Sequence, residues 1–275
     1  MGYKRLWFSI AFVILILCGC GREEVIQSNK SGEGFHAYIE YTKSLSYEQW
    51  EEIFTLPWVD DYTLAGQEGA LSDDLSALGD RAEHGPYWMD NPLRGQKTEA
   101  PHFYLMAFRK LTAKDLEKEM DYTLLEGEIP SPDGKGQCLI SEPLAELNHK
   151  SVGDVILLKN WLDPEKTVKV KITGIYKGPE GGEIMDERLK DSLADEPMNG
   201  IFVTVEDLKR LTHGAEREGV WRLSSLTLDE AASVDKVREE IENLGLSNSV
   251  KLYTAEELMD RMMGGGQLHE DSAGE

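Results

Sequence analysis

Glu126-Gly127-Glu128-Ile129-Pro130, Cys138-Leu139-Ile140-Ser141-Glu142, Leu144-Ala145, Val152-Gly153-Asp154-Val155-Ile156-Leu157 and Thr173-Gly174-Ile175-Tyr176 follow one another between residues 124 and 176. Gly127 and Pro130 read as a turn, because glycine admits left-handed backbone and proline fixes φ. Residues 137–140 form a short apolar run of strand type, leading through Ser141 into a helix with Leu144, Ala145 and Leu147 on its apolar face. Gly153 and Asp154 make a tight turn into a strand over 155–159, which Asn160, Asp163 and Pro164 join to a second strand over 167–175 as a hairpin. Each of these features builds scaffold, and none supplies catalysis.

Outward from this stretch, the two ends of the chain share a grammar. Residues 35–41 alternate as a strand, and Ser46-Tyr47-Glu48-Gln49 has capping-box spacing ahead of a short helix with Trp50, Ile53 and Phe54 on one face. Pro57 stops that helix and residues 62–65 start a new strand. At the far end, residues 222–228 read as a strand, followed by a helix with Val234, Val237, Ile241 and Leu244 at spacings of three and four and Gly245 placed to close it. Residues 249–253 form another strand, and Thr254-Ala255-Glu256-Glu257 caps a last helix with Leu258 and Met262 on one side. These end units are expected to pair in space. Between them, residues 103–108 and 201–204 are strands, Thr112 and Asp115 cap one helix, and another spans 205–211. The expected class is α+β and two-lobed, with strand-helix-strand units from both ends packed together and a strand-rich middle lobe.

The motifs of residues 124–176, in this order and spacing, resemble the extracytoplasmic core domain of MacB/FtsX-type ABC transporter permeases, and the order of elements fits from about Phe35 to Met263. The resemblance implies a two-lobed domain that meets partner proteins or senses and guides substrates outside the membrane. Gln137 stands where the family has glutamate and Glu128 where it has a basic residue; neither threatens the fold. On this reading residues 35–110 and 214–263 form the first lobe and 111–213 the second. The family's domain sits between two transmembrane helices of a permease. Here the sequence after residue 263 is polar, and 264–275 is expected to be a disordered tail.

The leader gives the address. Lys4 and Arg5 precede an apolar run over 6–17, which ends in Leu17-Cys18-Gly19-Cys20. Residues 1–19 read as a lipoprotein signal with Cys20 acylated, since Gly19 is small enough for the cleavage site whereas Leu17 disfavours Cys18. The alternative is an uncleaved anchor, although a spanning helix needs about 20 apolar residues and this run is shorter. Both tether the chain to the extracytoplasmic face of the cell membrane. Residues 20–34 are a polar spacer.

Composition narrows the partners. The formal charge of −22, from 29 basic and 51 acidic residues, argues against nucleic acid, whose phosphates such a surface repels. With Cys20 acylated, only Cys138 in the mature part is left, buried among apolar neighbours, so no intrachain disulfide can be drawn. There is no Gly-x-Ser-x-Gly, no His-Glu-x-x-His, no phosphate-cradling glycine loop and no Cys-x-x-Cys. The six histidines are scattered, and Asp133-Gly134-Lys135-Gly136 lacks the remaining ligands of a calcium loop. No catalytic residue, metal ligand or cofactor is therefore nominated. Residues 66–101, rich in Gly, Pro, Asp and Ser, break the pattern as a long loop in which Tyr87 and Trp88 are the candidate binding residues. Gly178, Gly181 and Gly182 with Pro179 mark a turn, or a contact loop between lobes. The chain is thus expected to be a non-enzymatic, membrane-tethered module that binds an ABC transporter permease or ATPase component or a substrate. A stand-alone solute-binding lipoprotein and the remnant of a truncated permease are the alternatives.

Overall fold

The computed structural model describes residues 34–79, 88–91, 93–178, 197–212 and 220–264. The leader, Cys20, most of the polar spacer and residues 265–275 lie outside this set, as do Tyr87, Gly181 and Gly182. The class is mixed α/β with a large strand content, as expected, and the chain forms two compact units. One takes the described residues up to Leu64 and from Arg222; the other is 65–221. The limits expected from the sequence are 110/111 and 213/214. They fall earlier and later because β2 (Val59–Ser72) is a single 14-residue strand whose second half pairs within the middle unit.

In the first unit, β1 (Phe35–Tyr41) pairs antiparallel on one side with β11 (Trp221–Leu228) and on the other with β12 (Val250–Thr254). The strands of the two end units therefore do pair. Helix α1 (Tyr47–Phe54) starts with the expected capping box, Ser46 Oγ accepting from Gln49 N at 3.2 Å while Ser46 N donates to Gln49 Oε1 at 3.0 Å. Its Trp50 and Ile53 are fully buried, with Val234, Val237 and Ile241 of α5 (Ser233–Asn243) also in the core. Gly245, at φ +72°, follows that helix, where only a residue without Cβ adopts the left-handed conformation freely. Helix α6 (Ala255–Gly264) follows β12 directly.

The middle unit is built on a ring of strands. β2 pairs β5 (Phe103–Phe108), β5 pairs β10 (Gly200–Val203), and β10 pairs β7 (Gln137–Ser141). β7 pairs β9 (Thr167–Lys177), β9 pairs β8 (Val155–Asn160), and β8 returns to β2 through Ala70–Ser72. Six strands thus close on themselves, which removes most free edges. β6 (Thr123–Gly127) is added outside, along β9. Alternation puts Leu105, Cys138, Ile140, Ile156, Val170 and Ile201 on the inner face, all at 0% exposure. The outer face of β7, β9 and β10 carries Leu139, Tyr176 and Phe202, packed with Leu116 of α2 (Ala113–Met120) into a second core. Helix α4 (Val205–Thr212) touches β5, β8 and β9 and so closes one mouth of the ring.

Two readings change. Residues 66–72 are not the start of a loop but the continuation of β2, and their glycines are packing glycines: a Cβ on Gly66 would lie 2.6 Å from Leu208 and Trp221, and one on Gly69 2.6 Å from Trp161. Gly127 ends a strand rather than making the turn with Pro130. At φ +77° its α-carbon lies so close to β9 that a Cβ would sit 2.1 Å from the Thr173 carbonyl oxygen. The helix start at Ser141, by contrast, is as read: its Oγ accepts from Leu144 N at 3.3 Å at the head of α3 (Glu142–Leu147).

Candidate functional site

Of the nominated residues, Cys20 and Tyr87 lie outside the described set and Trp88 opens a hairpin. β3 (Trp88–Asn91) and β4 (Gln96–Glu99) form a separate two-stranded ribbon with Trp88 opposite Glu99 and Asp90 opposite Lys97. The other face is pinned to the turn after β8: Asn91 Nδ2 donates to Leu162 O at 2.8 Å, and Thr98 Oγ1 to Trp161 O at 3.2 Å. Arg94 at the tip pairs with Asp163 at 2.5 Å. The ribbon is therefore held on one side and leaves Trp88 at 52% and Leu93 at 48% exposure.

The buried polar groups of the middle unit work for the fold. Asp207, at 0% exposure in the first turn of α4, accepts from Thr204 Oγ1 at 2.7 Å and Gly136 N at 2.7 Å, with Arg210 at 3.5 Å. The Asp133–Gly136 segment, which partly resembles a calcium loop, is thus stapled to α4 through a backbone amide. Beside it burial pushes the Cys138 thiol far above its usual range, with the Asp207 carboxylate adding to the effect, so no nucleophile is poised there. Glu68, also buried, accepts from Trp161 Nε1 at 3.0 Å and Gly69 N at 2.8 Å. Burial likewise raises Tyr176, whose hydroxyl donates to Gly200 O at 2.9 Å. Among the described residues no group of three or more His, Cys, Asp and Glu is arranged to hold a metal ion; His36 faces Thr227 and His102 faces Glu99.

The first unit holds an arrangement that the sequence reading did not nominate. α6 is latched to the sheet by Arg261, whose NH1 and NH2 donate to Glu40 Oε2 and Oε1 at 2.6 and 3.1 Å and whose guanidinium lies over the Tyr253 ring. At the outer side of β12, Arg238 of α5 donates to Leu252 O through Nε at 3.2 Å and NH2 at 3.0 Å, and NH2 also pairs with Glu257 at 2.5 Å. A groove of 260 Å³ runs along this side, lined by Arg238, Ile241, Ser247, Val250, Lys251, Leu252 and Tyr253. A smaller cavity of 10 Å³ in the middle unit, beside Phe108 and Phe202, has room for about one water. The signal for the groove was in the sequence only as a strand near the chain's end; nothing local says that such a strand is an edge.

No protein-family model matches the chain. An uncharacterised ABC transporter permease, YclI, of Bacillus subtilis (strain 168) is 28% identical over 132 residues, which is 48% of this chain and 26% of the relative, so the match spans about a quarter of that protein. Among solved structures, the periplasmic region of MacB from Actinobacillus actinomycetemcomitans aligns over 91% of this chain and 100% of its own, with a TM-score of 0.41 and 7% identity. A domain from a protein described as a permease of Porphyromonas gingivalis aligns over 81% and 89%, with a TM-score of 0.30 and 13% identity. Both scores are low, and the architecture rests on the strand order above. Over those 132 residues the chain is similar to an ABC transporter permease, the class that its own motifs between Glu126 and Tyr176 resemble.

Proposed function

We propose that this chain is a non-enzymatic extracytoplasmic module, tethered to the membrane through lipid on Cys20, that engages a component of an ABC transporter. The observation that carries the reading is the 28% identity over 132 residues to an ABC transporter permease. The leader adds an export and acylation pattern ending at Cys20. Among the described residues no helix is long and apolar enough to cross a membrane. The exposed Trp88 and Leu93 of the β3–β4 ribbon are the side chains we assign to contact with the transporter component.

Two measurements test this. Mass spectrometry of the membrane fraction should find a mature protein beginning at an acylated Cys20, and Cys20→Ala should abolish processing; a mature form that keeps Met1 and its apolar run would show an uncleaved anchor instead. Affinity purification from membranes should retain an ABC permease or ATPase, and Trp88→Ala should reduce that retention without changing the thermal midpoint. Retention of no transporter component would sink the function.

A further inference from the structure

We propose that the free edge of β12 is a docking site for a short extended segment of a partner polypeptide, running parallel to β12 and carrying a carboxylate opposite Lys251. The inference is independent of the transporter reading. Its basis is the hydrogen-bond phase of the strand. Thr42 N donates to Ser249 O at 2.8 Å, so Lys251 and Tyr253, in the same phase, direct their main-chain groups toward β1, and Val250, Leu252 and Thr254 direct theirs away from it. Three of the outward groups near the groove are engaged: Val250 N by Leu246 O at 2.8 Å, Leu252 O by Arg238, and Thr254 N by Glu257 Oε2 at 2.7 Å. Among the described residues the Val250 carbonyl and the Leu252 amide have no partner, and both residues line the groove.

That pair selects an orientation. In a parallel ladder one residue of the incoming strand donates its N–H to the carbonyl at one position and accepts from the amide two positions on, so a single residue opposite Lys251 satisfies both groups. An antiparallel strand would need the Leu252 carbonyl as well, and so would have to displace Arg238. With Arg238 kept in place, the added strand is short and ends there. Its side chain opposite Lys251 points to the face of Lys251, which is exposed and makes no ion pair among the described residues. An acidic residue is the complement. The next residue turns to the opposite face, toward Ile241, and suits a small apolar side chain.

The test uses the full chain in detergent and the peptide acetyl-Val-Glu-Val-Glu-Val-amide at millimolar concentration, followed by amide exchange in nuclear magnetic resonance. The peptide should slow exchange of the Leu252 amide saturably and leave that of Tyr253, already in the ladder, unchanged. N-methylation of both glutamate amides should weaken binding at least about tenfold, by removing a main-chain bond and adding bulk. Lys251→Gln, or glutamine in place of glutamate in the peptide, should weaken it about threefold, the scale of an exposed pair. A spin label on the peptide's N-terminus should broaden Ser249 more than Thr254. No protection of Leu252, equal binding of the methylated peptide, or broadening strongest at Thr254 overturns the proposal. So does Leu252 protection that grows with protein concentration without peptide, which would make a second copy the occupant.

Discussion

Gly69→Ala tests the middle unit at the point where glycine content misleads. The added Cβ would lie 2.6 Å from Trp161 Cδ1, 2.7 Å from Pro101 Cβ and 2.8 Å from Trp161 Nε1, distances that require something to move. Neither neighbour yields easily: proline is rigid, and the Trp161 indole is buried and donates through Nε1 to Glu68 at 3.0 Å. Overpacking of this kind costs about 1–3 kcal/mol. If the indole retreats, the buried Glu68 carboxylate loses a donor, a further loss of about 1–3 kcal/mol. Against this, alanine in a strand regains about 0.5–1 kcal/mol of backbone entropy over glycine. A net loss of about 2–4 kcal/mol is expected, which for a slope of about 1–3 kcal/mol per molar urea shifts the midpoint down by roughly 1–2 M. The assay is urea denaturation followed by tryptophan fluorescence, with Gly95→Ala as control. A Cβ there meets nothing within 4 Å, at φ +62°, so only backbone strain of about 1 kcal/mol is added. Equal midpoints for the two variants would refute the packed-strand account of residues 66–72.

Asp207→Ala should destabilise by about 2–4 kcal/mol in the same assay, since it leaves the Gly136 amide and the Thr204 hydroxyl without their buried acceptor; a loss below about 1 kcal/mol would mean that water replaces the carboxylate. In a Cys18→Ser, Cys20→Ser background, Cys138 should not react with a thiol reagent at pH 8 until urea unfolds the chain, because burial holds it as the thiol. Arg261→Ala should speed amide exchange in α6 while lowering the unfolding free energy by no more than about 1 kcal/mol, as its ion pair with Glu40 is exposed. The Glu257 carboxyl is held below its usual value, first by the Thr254 amide and then by Arg238. A depressed acid stabilises the folded state above its unfolded pKa and loses that contribution as pH falls through the folded value. The protection factors of the α6 amides, corrected for the pH dependence of intrinsic exchange, should therefore fall below about pH 4.5, and Glu257→Gln should remove that dependence.

What was legible in the sequence was local. Ser46, Thr112, Ser141 and Thr254 cap helices at the residues where spacing put them, because a cap needs only a side chain and an amide two or three positions on. The 155–175 hairpin was legible for the same reason: Asn160 Oδ1 accepts from Leu162 N and Asp163 N at 2.9 and 3.1 Å, which turns the chain within its own neighbourhood. Glycine failed as a guide wherever its reason lay far along the chain. Gly66 and Gly69 look like loop punctuation beside Asp73 and Asp74, yet the groups that demand them are Leu208, Trp221 and Trp161, more than ninety positions away. The same distance hid the lobe boundary, since the second half of β2 belongs to the middle unit through partners at 103–108 and 158–160.

The ring also bears on where a binding function can reside. Closing β2, β5, β10, β7, β9 and β8 on one another consumes the edges of six strands, and filling the ring with Leu105, Ile140, Ile156 and Ile201 leaves its inside to side chains rather than to a ligand. What the middle unit offers a partner is therefore outside the ring, on the ribbon that carries Trp88 and Leu93 and along β6, whose bulge between Leu124 and Glu126 spoils it as a template. Among the described residues the first unit has no such closure: its sheet ends at β12, and Arg238 blunts that edge at the Leu252 carbonyl while the Val250 carbonyl and the Leu252 amide have no partner. An edge blunted at one carbonyl and open at the neighbouring pair resists indefinite self-pairing yet admits one short strand, which is the combination a recognition surface requires.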